Sequence, residues 1–184
     1  MFGKLAIVGA VFAALLGCKG SEPSPEDVCP DPNDTTSPLF PACDEAAQTL
    51  APGFESELTD FGVCGDALFF AANPDRTLVL GLSIGGLASD VEEQGVDVAC
   101  EASLPHTIIP LTLRIGTALN TACEASTPER VELCTWVPTA GTVNLSFTVD
   151  ESELVGDAEL SDLKLQNANG DKVTLPYLDI SGGF

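Results

Sequence analysis

From Phe61 onward, apolar residues recur at every second position, a period that suits half-buried strands and not helices. Val143, Leu145, Phe147 and Val149 alternate with Asn144, Ser146 and Thr148. Leu111, Leu113, Ile115 and Leu119 alternate with Thr112, Arg114 and Asn120, and Val96, Val98 and Cys100 alternate with Asp97 and Ala99. About eight such strands, separated by turn signals and with no long amphipathic helix among them, predict an all-β domain over residues 61–184. The expected architecture is an antiparallel β-sandwich, with a small closed β-barrel as the alternative.

Two hairpins can be given a register. Asn73-Pro74-Asp75-Arg76 suits a type I turn, because proline pre-sets the first central torsion. Pairing Ala72 with Thr77 then sets Phe69 opposite Leu80 and Ala71 opposite Leu78. Near the C-terminus, a three-residue loop Ala168-Asn169-Gly170 pairs Leu165 with Val173 and Leu163 with Leu175, keeping apolar residues on one face. A two-residue Asn-Gly turn would mix the faces. Leu178 and Ile180 have the opposite parity to Val173 and Leu175, which predicts a bulge near Pro176 on an edge strand.

The N-terminal third reads differently. Lys4 precedes an uncharged apolar run, Leu5 to Leu16, of twelve residues. That length fits a signal-peptide core and falls short of the roughly 20 residues a membrane-spanning helix needs. The run ends in Leu15-Leu16-Gly17-Cys18, which resembles the lipobox of bacterial lipoproteins. The resemblance implies that residues 1–17 are removed by cleavage between Gly17 and Cys18, and that Cys18 carries the lipid. It implies an envelope location, and Lys19 in place of Asp points to the outer membrane. An ordinary secretory leader is the competing reading, but it does not require cysteine at this spot. Residues 18–60 are rich in acid and proline, with six of the 13 prolines between Pro23 and Pro41. They predict an extended tether, with a short helix over Ala46–Leu58.

Removing the leader leaves 28 acidic residues against six basic ones, a balance that argues against nucleic acid as a partner. It also leaves six cysteines besides Cys18: Cys29, Cys43, Cys64, Cys100, Cys123 and Cys134. An even number in an exported chain predicts three disulfides. Fifteen pairings are possible, and proximity in sequence suggests Cys29–Cys43, Cys64–Cys100 and Cys123–Cys134. A zinc site would need CxxC pairs or several histidines, and the chain has one histidine.

Chemistry-bearing motifs are sparse. Gly81-Leu82-Ser83-Ile84-Gly85 fits G-x-S-x-G, but that nucleophile elbow requires a strand–turn–helix context and a histidine further on. Ser83 reads as a strand serine, Gly86-Leu87-Ala88-Ser89-Asp90 is a poor helix start, and the sole histidine, His106, reads as a solvent-facing turn residue. Acid runs at Asp31-Pro32-Asn33-Asp34, Asp90-Val91-Glu92-Glu93 and Asp150-Glu151-Ser152-Glu153 lack EF-hand spacing and read as solvated loops, with calcium the weaker reading. Trp136 reads as core. No catalytic residue, metal ligand or cofactor is assigned. The expected function is a non-catalytic envelope lipoprotein that binds or scaffolds an envelope protein or glycan; the rival is an envelope serine hydrolase or a paired-carboxylate glycosidase.

Overall fold

The computed structural model describes residues 29–44, 50–95, 97–121, 123–125, 129–150 and 153–183. Eight strands carry the fold: β1 Asp60–Cys64, β2 Leu68–Ala72, β3 Leu78–Ser83, β4 Val98–Ser103, β5 Leu111–Thr117, β6 Val131–Asp150, β7 Glu153–Gln166 and β8 Lys172–Gly183. All pairs are antiparallel, in the order β1-β2-β3-β5-β6-β7-β8, with β4 added on β6. The domain is therefore all-β. Its layout is one curled sheet, a half-barrel between the two architectures anticipated. The continuity comes from β6, which pairs β5 through Val131–Trp136 and β4 through Thr142–Phe147. The curl brings the ends together, with Gly182 of β8 packed against Val63 of β1.

Three neighbouring strands bend together. On β6, register shifts flank Ala140, and Gly141 adopts φ 143°. A Cβ there would sit 2.9 Å from the Leu163 Cα, so only glycine lets β7 approach this closely. On β7, the inward positions run Leu154, Gly156, Ala158, Leu160 and then Leu163, Leu165, the parity changing at Asp162 with φ 50°. On β8 the change falls at Pro176 and Tyr177, both exposed. Because β7 and β8 change parity side by side, Leu163↔Leu175 and Ser161↔Tyr177 keep one register. This corrects the bulge expected on β8 alone.

The C-terminal hairpin has the expected pairs, Leu165↔Val173 and Leu163↔Leu175, with Gly170 at φ 86°. The β2–β3 hairpin does not. Ala72 pairs with Val79 and Phe69 with Leu82, two residues from the expected register. The Asn73–Arg76 turn forms, its Arg76 N–H donating to the Asn73 carbonyl at 3.1 Å. However, Asn73 Oδ1 then accepts the N–H groups of both Thr77 and Leu78 at 2.9 Å, which widens the loop. A slip of two preserves the faces, so Leu78, Leu80 and Leu82 still point inward. Leu119 lies outside β5. After Ala118 at φ 50° the chain folds over the outer face, where Leu119 packs on Ala72 and Val79.

The core gathers Phe54, Phe69, Trp136 and Phe147 with the inward leucines. Phe69 and Phe147 meet edge to face at 6.0 Å. Phe54 belongs to a single 3-10 turn, Phe54–Glu57, in the stretch expected to be tether. That expectation is corrected in extent. Residues 31–44 run along the domain through Thr36 N–H to the Pro105 carbonyl, Ser103 N–H to the Pro32 carbonyl and Asp44 N–H to the Leu133 carbonyl. Part of the expected Ala46–Leu58 helix lies outside the described residues.

All six cysteines after Cys18 form disulfides, as anticipated, but every pairing differs from the nearest-neighbour set. The bonds are Cys29–Cys100, Cys43–Cys134 and Cys64–Cys123. The physical reason is that loop-closure cost grows only with the logarithm of length, so adjacency in the sheet decides and adjacency in sequence does not. Cys100 on β4 and Cys134 on β6 face segments that arrive from the N-terminus.

Candidate functional site

Ser83 is the last residue of β3, and Leu87–Gln94 forms an α-helix, α1, immediately after it. The strand–turn–helix context is present, which corrects the expectation of a poor helix start. The sequence conceals the reason because the cap is remote. The Asp66 carboxylate accepts N–H groups from Gly86 at 2.7 Å and Ser89 at 3.0 Å, together with the Ser89 hydroxyl at 3.2 Å. The Ser89 N–H contributes most to holding the Asp66 carboxyl below the ordinary aspartate range. The Asp90–Glu93 acid run consequently lies on α1 and not in a loop.

His106 is buried, which corrects its reading as a solvent-facing residue. Its Nε2 lies 2.7 Å from the Asp31 carbonyl, and its Nδ1 accepts the Ile108 N–H at 3.2 Å. A backbone acceptor and a backbone donor thus select the tautomer protonated at Nε2. Both nitrogens are occupied, and the imidazole pins the N-terminal segment where Thr35 bridges to His106. The ring is not directed to Ser83.

Ser83 instead opens onto a cleft of about 360 Å³ on the outer face of β3 and β5. Thr112 and Arg114 of β5, Asn120 and Thr121 of the following loop, and Arg130 line it. The Arg114 guanidinium donates to the Asn120 carbonyl at 2.7 Å, and Arg130 reaches Asn120 Oδ1 at 3.2 Å and Glu132 at 2.8 Å. Glu132 also accepts a short hydrogen bond from Thr135. None of these cleft residues except Ser83 stands out by motif. The legible signal was scarcity: the chain has only three arginines, and Arg114 is a lone charge inside an apolar-alternating strand.

A second groove, of about 600 Å³, lies on the outer face of β4, β6, β7 and β8. The register sets Glu101 beside Asn144, Asn144 beside Glu159, and Glu159 beside Asp179. Asp157 adjoins this row, accepting from the Ser146 hydroxyl at 3.3 Å, and Tyr177 O–H donates to Glu159 at 3.4 Å. Desolvation, then repulsion from Asp157 and Glu159, raises the Asp179 carboxyl above its ordinary value. The face is a negative field formed by adjacent strands. Among the described residues, no three His, Cys, Asp or Glu side chains converge to hold a metal ion.

Trp136 is in the core as expected, with its indole N–H unpartnered among the described residues. Gly17 and Cys18, the expected cleavage and lipidation residues, lie outside the described residues, as does the centre of the 150–153 acid run. No family model, curated protein or solved structure matches the chain.

Proposed function

We propose that the chain is an exported bacterial envelope lipoprotein, anchored through Cys18, whose β domain binds a partner without catalysing a reaction. One observation carries the address. Six of the seven cysteines pair with one another, so Cys18 is the one cysteine with no disulfide partner left in the chain. Three disulfides belong to an oxidising compartment, and a leftover thiol directly after an apolar leader suits acylation.

The Cys29–Cys100 bond also shortens the tether. Only residues 19–28 separate the anchor from the domain, a reach of at most about 40 Å from Cys18 to Cys29. The domain would therefore work close to its membrane, on a partner of the same envelope. The non-catalytic part of the reading is supported by His106, whose two nitrogens are committed to the backbone, so it supplies Ser83 with no base.

Metabolic labelling with an alkynyl fatty acid, combined with intact-mass measurement, tests the anchor. The expected product starts at Cys18, carries acyl mass, and loses both label and membrane retention in Cys18→Ala. Retention of Met1, or an unacylated Cys18, would overturn it. Labelling by a serine-reactive fluorophosphonate that disappears in Ser83→Ala would overturn the non-catalytic reading and favour the hydrolase.

A further inference from the structure

The chain's positive charge is scarce, yet two of its three arginines meet in the cleft beside Ser83. The third, Arg76, is neutralised by Asp60 at 2.6 Å and Glu124 at 2.9 Å. Arg114 and Arg130 are not matched in this way, because they share Glu132. Arg130 holds that carboxylate at 2.8 Å, whereas Arg114 is left at 4.0 Å from it. The side chains of Arg114 and Arg130 are only 15% and 31% exposed, so two guanidiniums share one carboxylate away from bulk water, and the next negative charge, Glu124, accepts the Thr121 N–H at 2.9 Å. Burial, and secondarily the charge of Arg130, pushes the Arg114 guanidinium below its ordinary value, opposed by Glu132.

Two further features belong to the same cleft. Thr121 lines it and is fully buried, and its hydroxyl has no hydrogen-bond partner among the described residues. A buried polar atom left unpaired costs free energy, which a bound acceptor would recover. Gly81 lies in the middle of β3, opposite Thr112, on the cleft floor. A Cβ there would meet nothing within 4 Å and its φ is not positive, so neither crowding nor torsion calls for glycine. What glycine provides is a bare floor that a ligand can approach.

We propose that this cleft binds a small organic carboxylate, its oxygens held by Arg114 and Arg130 with a hydrogen bond from Thr121, and its body lying over Gly81. Arginine pairs with a carboxylate through parallel N–H donors, and the cleft volume suits a compact molecule. The charge selects carboxylate over phosphate. With Glu132 between the arginines and the Glu124 carboxylate bonded to the Thr121 N–H at the rim, a monovalent carboxylate meets less like-charge repulsion than a divalent phosphate. The overall negative charge of the protein does not forbid this, because at physiological salt its field is screened beyond about 8 Å.

The test is titration of the oxidised, folded protein with benzoate and with inorganic phosphate at constant ionic strength, followed by calorimetry and melting temperature. Benzoate is expected to bind saturably and raise the melting temperature, with phosphate at least about tenfold weaker. Arg114→Gln and Gly81→Val are each expected to weaken benzoate by about tenfold or more. Gly81→Val guards against an Arg114 variant that misfolds, because its circular dichroism should match the parent. Absence of saturable benzoate binding to the parent protein, or unchanged binding in folded Gly81→Val, would overturn the site. Phosphate binding as tightly as benzoate would overturn the choice of carboxylate. None of these readouts depends on acylation of Cys18, so failure here and failure of the anchor are separable.

Discussion

The Asp66 carboxylate accepts the Gly86 N–H at 2.7 Å from 20 residues earlier in the chain, and so starts a helix that has no side-chain cap of its own. Asp66→Ala should cost about 1 kcal/mol of stability at neutral pH, measured by urea unfolding. The sign of the pH dependence follows from the lowered carboxyl. Its stabilising contribution is present above the unfolded-state value of about 3.9 and is lost as pH falls through the lower folded value. Parent and variant should therefore converge in stability as the pH is taken down through that lowered folded value.

Phe54 is buried in the core although it precedes the first strand. Phe54→Ala should destabilise the domain by about 3–5 kcal/mol in chemical denaturation. A truncated chain beginning at residue 61 should lack a cooperative unfolding transition. Unaltered stability of either would place the domain boundary back at residue 61.

The Cys29–Cys100 bridge closes a loop with a sequence separation of 71. Replacing both cysteines with serine should cost about 4 kcal/mol on the chain-entropy account. Hydrogen exchange should accelerate in residues 31–36, where Thr36 N–H and the Asp34 carbonyl bond to residues 105–107. Peptide mapping under non-reducing conditions should recover the three cross-links and no Cys29–Cys43 pair.

Asp179 has the opposite electrostatics to Asp66. An acid raised by burial and by Asp157 and Glu159 opposes folding once ionised. The penalty develops as pH rises from the unfolded value of about 3.9 through the folded one. Asp179→Asn should therefore melt higher than the parent at neutral pH, and the difference should vanish below about pH 3.

The pattern of alternation marked β2 to β5, the second half of β6 and the β7–β8 hairpin, because each faces the core on one side and water on the other, whereas β1 and residues 131–142 of β6 went unmarked. The Ala168-Asn169-Gly170 hairpin was legible to the residue, since face agreement admits one register there. The Asn73 loop was not, because a slip of two satisfies the faces equally and only side-chain hydrogen bonds decide between them. Long-range events were hidden for a common reason. Asp66 capping α1, His106 gripping Asp31 and Cys29 reaching Cys100 join residues 20, 75 and 71 positions apart, where no local pattern records them. The arginine cleft is of the same kind, assembled from β3, β5 and the loop beyond.

The cysteine connectivity bears on biogenesis. As the polypeptide emerges from its N-terminus, Cys29 and Cys43 meet first, while their true partners, Cys100 and Cys134, have yet to appear. An oxidant that joined thiols in order of arrival would make wrong bonds throughout. Correct maturation therefore demands either delayed oxidation until nearly three quarters of the polypeptide has been delivered or an isomerase that reshuffles early mistakes.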